Sequence, residues 1–158
     1  MSLTLLADPA SLPTTPLRLY FENPVGRILE HPAGYAVIAY HAGPRDLYHL
    51  QAFLTHALHL LRRRDWNRLF GDQRQLLPFS EEESAWIVQY WLSQQQQGRP
   101  IYAAVLLLPD VLASFPPAQQ RQEAQAGVLT YRLFDDEAAA HSWLAQLPSP
   151  TTAGSKLP

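Results

Sequence analysis

Asp72 and Arg74 are the side chains of this sequence best placed by type and spacing to do chemistry. They stand two residues apart in LFGDQRQ, a polar stretch that follows a short apolar run. A guanidinium grips an anionic group through two parallel N–H donors, and a neighbouring aspartate can orient it. If the apolar run is a strand of a parallel sheet, the pair lies at its carboxyl end, where open α/β sheets place their ligands. The same residues also make a serviceable turn, with Asp72 bonding its own loop backbone and pairing with Arg74. No second catalytic group accompanies them, so they read as a grip for a small ligand, and no catalytic residue is assigned.

The other reactive residue types are not arranged for a recognisable chemistry. His49, His56 and His59 share one side of a helical segment, but a metal needs three converging ligands with partners behind them, and no HExxH or comparable spacing is present. His141, two residues before Trp143, reads as a solvent-side residue. There is no GxSxG elbow, and the 7 glycines follow neither a GxGxxG nor a Walker pattern. The absence of cysteine excludes disulfides and thiolate chemistry. Neither a metal nor a cofactor is expected.

Composition bounds the partners. A formal charge of −2 and a pI near 6.3 supply no excess of positive charge to collect a phosphate backbone, so nucleic acid is not an expected partner. No apolar run is long enough to span a bilayer, and the first residues lack the basic n-region of a signal peptide, which makes a cytoplasmic location the expectation. With 47% hydrophobic and only 16% charged residues, the chain can bury a core, and its 158 residues suit one domain.

The elements that would position Asp72 and Arg74 are legible from local signals. Prolines and Ser/Thr over residues 1–16 predict a flexible arm, and PSPTTAGSKLP over 148–158 a disordered tail; the domain is expected over 17–147. His31-Pro32-Ala33-Gly34 has the residues of a type I turn between two β-rich runs, a hairpin. Whether residues 17–22 add a strand is open. Leu47, Leu50, Leu54, Ala57, Leu58 and Leu61 recur at helical spacing behind a capping Asp46. A strand at 67–71, a helix from Ser80 to the Gln94–Gln97 run, an apolar strand at 101–108, a polar helix through AQQRQEAQA, a strand at 129–134 and a last helix capped by Asp135 or Asp136 complete the chain. The expected fold is α/β: a mainly parallel five-stranded sheet with an antiparallel edge strand from the N-terminal hairpin and helices on its faces, in the order ββαβαβαβα.

The helix over residues 80–97 carries a second signal. Ser80 and Glu83 have capping-box spacing, and Glu81, Glu82 and Glu83 fill the first turn, where the helix dipole favours negative charge. Ile87, Val88, Trp91 and Leu92 form a stripe that can face a sheet. Trp86 and Tyr90, at i and i+4, then project to another side. Aromatic residues of this kind are enriched at binding hot spots, so Trp86 and Tyr90 are the candidate interface residues, the alternative being packing within the same chain.

This order of elements, with its ending FDDEAAAHSWL, resembles the STAS-like or SpoIIAA-like superfamily of anti-sigma-factor antagonists over roughly residues 25–147. Phe134, Ala138, Trp143 and Leu144 sit where STAS-like bacterial members tend to carry such an ending. The resemblance implies a non-enzymatic interaction or regulatory module. It does not extend to a phospho-switch, because the turn Gly71-Asp72-Gln73-Arg74 lacks the family's phosphorylatable serine and Ser80 is explained as a helix cap. A related lipid-binding branch shares the architecture. Two functions are therefore expected: a self-associating module, a homodimer or a binder of another protein through residues 80–97; or, alternatively, a binder of a small anionic or lipid-like molecule, or a weak enzyme, with its site at Asp72 and Arg74.

Overall fold

The computed structural model describes residues 16–94 and 99–147. The expected tail, all but the last residue of the expected arm, and residues 95–98, where the helix from Ser80 was predicted to end, lie outside these residues. The hairpin turn closes as its residues predict. Gly34 N–H donates to the His31 carbonyl at 2.9 Å, and Gly34 takes a left-handed φ of 94°, a conformation that costs a side chain energy. The turn joins β2 (Gly26–His31) to β3 (Tyr35–Tyr40) with Ile28 opposite Ile38. Residues 18–23, left open by the sequence, form β1 (Arg18–Asn23), antiparallel to β2.

The helices start where polar side chains satisfy their free N–H groups. Asp46 accepts from His49 N–H at 2.8 Å to begin α1 (Leu47–Arg64), and Asp65 ends it in the left-handed conformation. Ser80 and Glu83 form the predicted capping box of α2 (Glu81–Ser93), each side chain bonding the other's backbone N–H. Asp136 caps α4 (Glu137–Gln146) through Ala139 N–H. Between them run β4 (Arg68–Asp72), β5 (Ile101–Leu106), a short α3 (Pro109–Ala113), β6 (Ala124–Ala126) and β7 (Leu129–Phe134).

Two expectations are corrected. The polar helix predicted through AQQRQEAQA does not form: residues 117–121 make successive turns, and Ala124–Ala126 pairs antiparallel with β7. Pairing with β7 outweighs the helix propensity of Ala, Gln and Glu, which is a weak prior. The sheet accordingly has seven strands among the described residues, in the order β1-β2-β3-β4-β5-β7-β6, where five were expected. Its centre, β3-β4-β5-β7, is parallel, and antiparallel pairs flank it on both edges.

Strand order fixes the layers. From β3 through β4 to β5 the chain steps the same way across the sheet, and right-handed crossovers then put α1 and α2 on one face. There Leu50, Phe53 and Leu61 of α1 and Trp91 of α2 pack with Ile28, Ile38 and Leu69. Ala140 and Leu144 of α4 cover the other face, against Phe70, Ala104 and Leu106. Because the order does not reverse between parallel strands, the sheet has no switch point of the kind that opens a crevice at the carboxyl edge. Binding space must come from the two faces.

Candidate ligand-binding groove

The pleat of β4 separates Asp72 from its neighbours. Leu69, Gly71 and Gln73 face α2, whereas Phe70 and Asp72 face the opposite side. Register sets Gly71 beside Val105 and Leu69 beside Ala103, so two small residues lie near the middle of the sheet under α2. A Cβ built at Gly71 would meet nothing nearer than the Ala104 carbonyl at 3.9 Å. α2 leaves this hollow unfilled. A groove of about 330 Å³ remains between Ile87, Val88 and Trp91 above and Gly71, Ala103 and Leu129 below.

The groove has a direction. α2 runs against the strands, so Ser84 lies with Tyr40 and Gln73 at the carboxyl end, and Trp91 lies with Ala126 and Leu129 at the other. Among the described residues no charged side chain lines it. Tyr40 is 9% exposed, and its hydroxyl has no hydrogen-bond partner among the described residues; burial raises its pKa, opposed by the nearby Arg45 charge, so it stays a neutral donor.

A buried ion pair fastens the roof. Arg45, on the loop before α1, donates to Glu83 of α2 at 2.8 Å, and the two side chains are 6% and 9% exposed. The guanidinium also donates to the Pro78 carbonyl and lies over the Phe79 ring, 4.7 Å from its centroid. Burial pushes the Glu83 carboxyl up, but the Ser80 N–H and Arg45 together outweigh it, leaving its pKa below the ordinary glutamate value. At the far end of α2, Gly127 has φ 62°, and a Cβ there would come within 2.6 Å of the Trp91 carbonyl oxygen.

Asp72 and Arg74 belong to the opposite face and are occupied with each other. Arg74 donates from Nε to Asp72 Oδ1 at 3.0 Å and from Nη2 to Oδ2 at 2.8 Å, and its backbone N–H adds a third bond. Partial burial raises the Asp72 pKa, but these bonds prevail and it falls below the usual value; the same bonds raise that of Arg74. Asp72, without Arg74, edges a second hollow of about 600 Å³, floored by Leu29, Val37 and Ala39.

Residues that sequence reasoning passed over lie along this hollow. His141, expected on the solvent side, is half-buried instead. It stacks on Phe70 with centroids 4.2 Å apart and is hydrogen-bonded through Nδ1 to the Tyr35 hydroxyl. Its Nε2 is 3.6 Å from Glu137, which is 3.7 Å from Arg74. Burial pushes the Tyr35 phenol up to about 12, against the pull of Arg68, so it meets His141 as a neutral hydroxyl. His31 stacks on Tyr35, and its pKa is lowered by burial and then by His141. The i, i+4 spacing of Glu137 and His141 was the available signal; Tyr35 and Phe70 are too distant in sequence to show it.

The aromatic pair on α2 is also used within the chain. Trp86 and Tyr90 stack with centroids 4.8 Å apart and pack against the core that α1 shares, and burial raises the Tyr90 pKa despite a hydrogen bond with Thr55. Leu92 faces outward at 45% exposure, and Val88, at the groove's rim, is 48% exposed, although the predicted stripe turned both toward the sheet. On α1, His49 pairs with Asp46, and His56 stacks on Phe21. No helix among the described residues is long and apolar enough to cross a membrane. No family model, curated protein or solved structure matches the chain, so the functional reading rests on this geometry.

Proposed function

We propose that the protein binds a small apolar molecule in the groove between α2 and the sheet, without catalysis. The observation that carries this reading is the floor: Gly71 and Ala103 leave about 330 Å³ of space that larger side chains would fill. Small-molecule sites have this character, mostly apolar with a few polar groups and a volume of about 300–1,000 Å³. A ten-carbon chain that buries nine methylenes at about 0.8 kcal/mol each gains roughly 7 kcal/mol, a dissociation constant on the order of 10 μM. Nile red, an uncharged apolar dye, tests the site. The protein should bind it with fluorescence enhancement. Gly71→Leu, whose side chain enters open space, should abolish binding while the fold persists by circular dichroism. Equal dye binding by both proteins would remove the groove from consideration.

A second reading is favoured by Leu77, Val88 and Leu92, large apolar side chains exposed at and beside α2. It is the STAS-like regulatory module, meeting a protein partner or a second copy through this helix, with Trp86 and Tyr90 supporting the contact from behind. Light scattering after size exclusion discriminates: a dimer broken by Val88→Asp with Leu92→Asp favours this reading, and a concentrated monomer opposes it.

A further inference from the structure

The polar end of the groove bears on the head of the ligand. Tyr40 is nine-tenths buried, lines the groove, and has a hydroxyl with no hydrogen-bond partner among the described residues. The Gln73 amide, partly buried, and the Ser84 hydroxyl, exposed at the mouth, line the same end. A hydroxyl with no protein partner takes its hydrogen bonds from water or from a ligand. Resting on the reading of the groove as a ligand site, we infer that its occupant is an uncharged amphiphile, an apolar body headed by a carbonyl or hydroxyl oxygen, and that the corresponding carboxylate is rejected.

The donors fit such an oxygen. A phenolic O–H and an amide N–H2 can each donate to it, while Ser84 can donate or accept. A carboxylate at the same place would need a cation to offset its desolvation. Arg45 does not supply one. It does not line the groove, it lies over the Phe79 ring, and its charge is matched by Glu83. Freeing it would break a buried ion pair and leave the Glu83 carboxylate beside the incoming one, with like charges in contact.

Displacement of bound Nile red near neutral pH by decanone, decanol, decane and decanoate tests the inference. Decanone and decanol should displace the dye at concentrations about tenfold lower than decanoate, the scale of a lost charge or hydrogen-bond match. Tyr40→Phe should keep the wild-type thermal stability but erase the advantage of decanone over decane, each followed by direct titration of the unlabelled compound. Decanoate equal to decanone in the wild-type protein, or decanone equal to decane there, would overturn the uncharged-head inference. Failure of the underlying site is distinguishable, because Nile red would then not bind at all, or would bind Gly71→Leu equally well.

Discussion

Replacing Glu83 by Gln removes one charge from the pair that holds α2 over the groove and changes little else. Glutamine serves at the third position of a capping box as glutamate does, so the bond to Ser80 N–H is retained. What is lost is the partner of Arg45, whose side chain is only 6% exposed. Breaking one side of a buried ion pair costs about 3–5 kcal/mol, because the remaining charge is left unmatched away from water. For a domain of this size each kcal/mol moves Tm by about 2–4 °C, so Glu83→Gln should lower Tm by roughly 6–20 °C. Adding Arg45→Met to Glu83→Gln should recover most of the loss, since apolar replacement of both partners is often neutral. The assay is calorimetry of the two single variants and the double variant near neutral pH. Because the Glu83 pKa lies below the ordinary glutamate value of 4.5, the wild-type pair contributes fully above that pH and is lost as pH falls through the lower folded value. A Tm drop under about 2 °C for Glu83→Gln, or simple additivity in the double variant, would refute the reasoning.

Three further outcomes follow from single residues. Gly71→Ala should raise stability by about 0.5–1 kcal/mol in urea denaturation, because the Cβ meets open space and the unfolded chain loses freedom. Gly127→Ala should lower the urea midpoint, with a loss of about 1–3 kcal/mol from the left-handed φ and the collision with the Trp91 carbonyl. His31 has a folded pKa below the ordinary histidine value of 6.5, so between those two values the unfolded chain holds the extra proton. Its contribution is therefore complete above about pH 6.5 and declines as pH falls through that window; a Tm–pH profile should show this slope, reduced in His31→Gln.

Much of the fold was legible because its signals are local. Asp46, Ser80 with Glu83, and Asp136 cap helices whose starts follow from four or five residues each, and Pro32 with Gly34 announces the hairpin turn. The two edge strands were not legible in the same way. Ala124–Ala126 has helix-forming composition, and only β7 makes it a strand; residues 18–23 needed β2 for the same reason. α2 is apolar on more than one side, so periodicity could not say that Trp86 and Tyr90 face inward while Leu92 faces out. The Asp72-Arg74 turn was visible as polar, but its two residues satisfy each other. The groove was invisible because it depends on missing side chains, Gly71 and Ala103, brought together by register between strands some thirty residues apart. The cluster of His31, Tyr35, Glu137 and His141 likewise depends on α4 docking against β3.

The most direct test of the groove is a two-dimensional amide and indole NMR titration with decanone. The predicted result is saturable shifts at Gly71, Gln73, Ala103 and the Trp91 indole, absent in Gly71→Leu. Shifts confined to the outward Leu77 and Leu92, or to the His31 and His141 hollow, would place the ligand elsewhere and contradict the account.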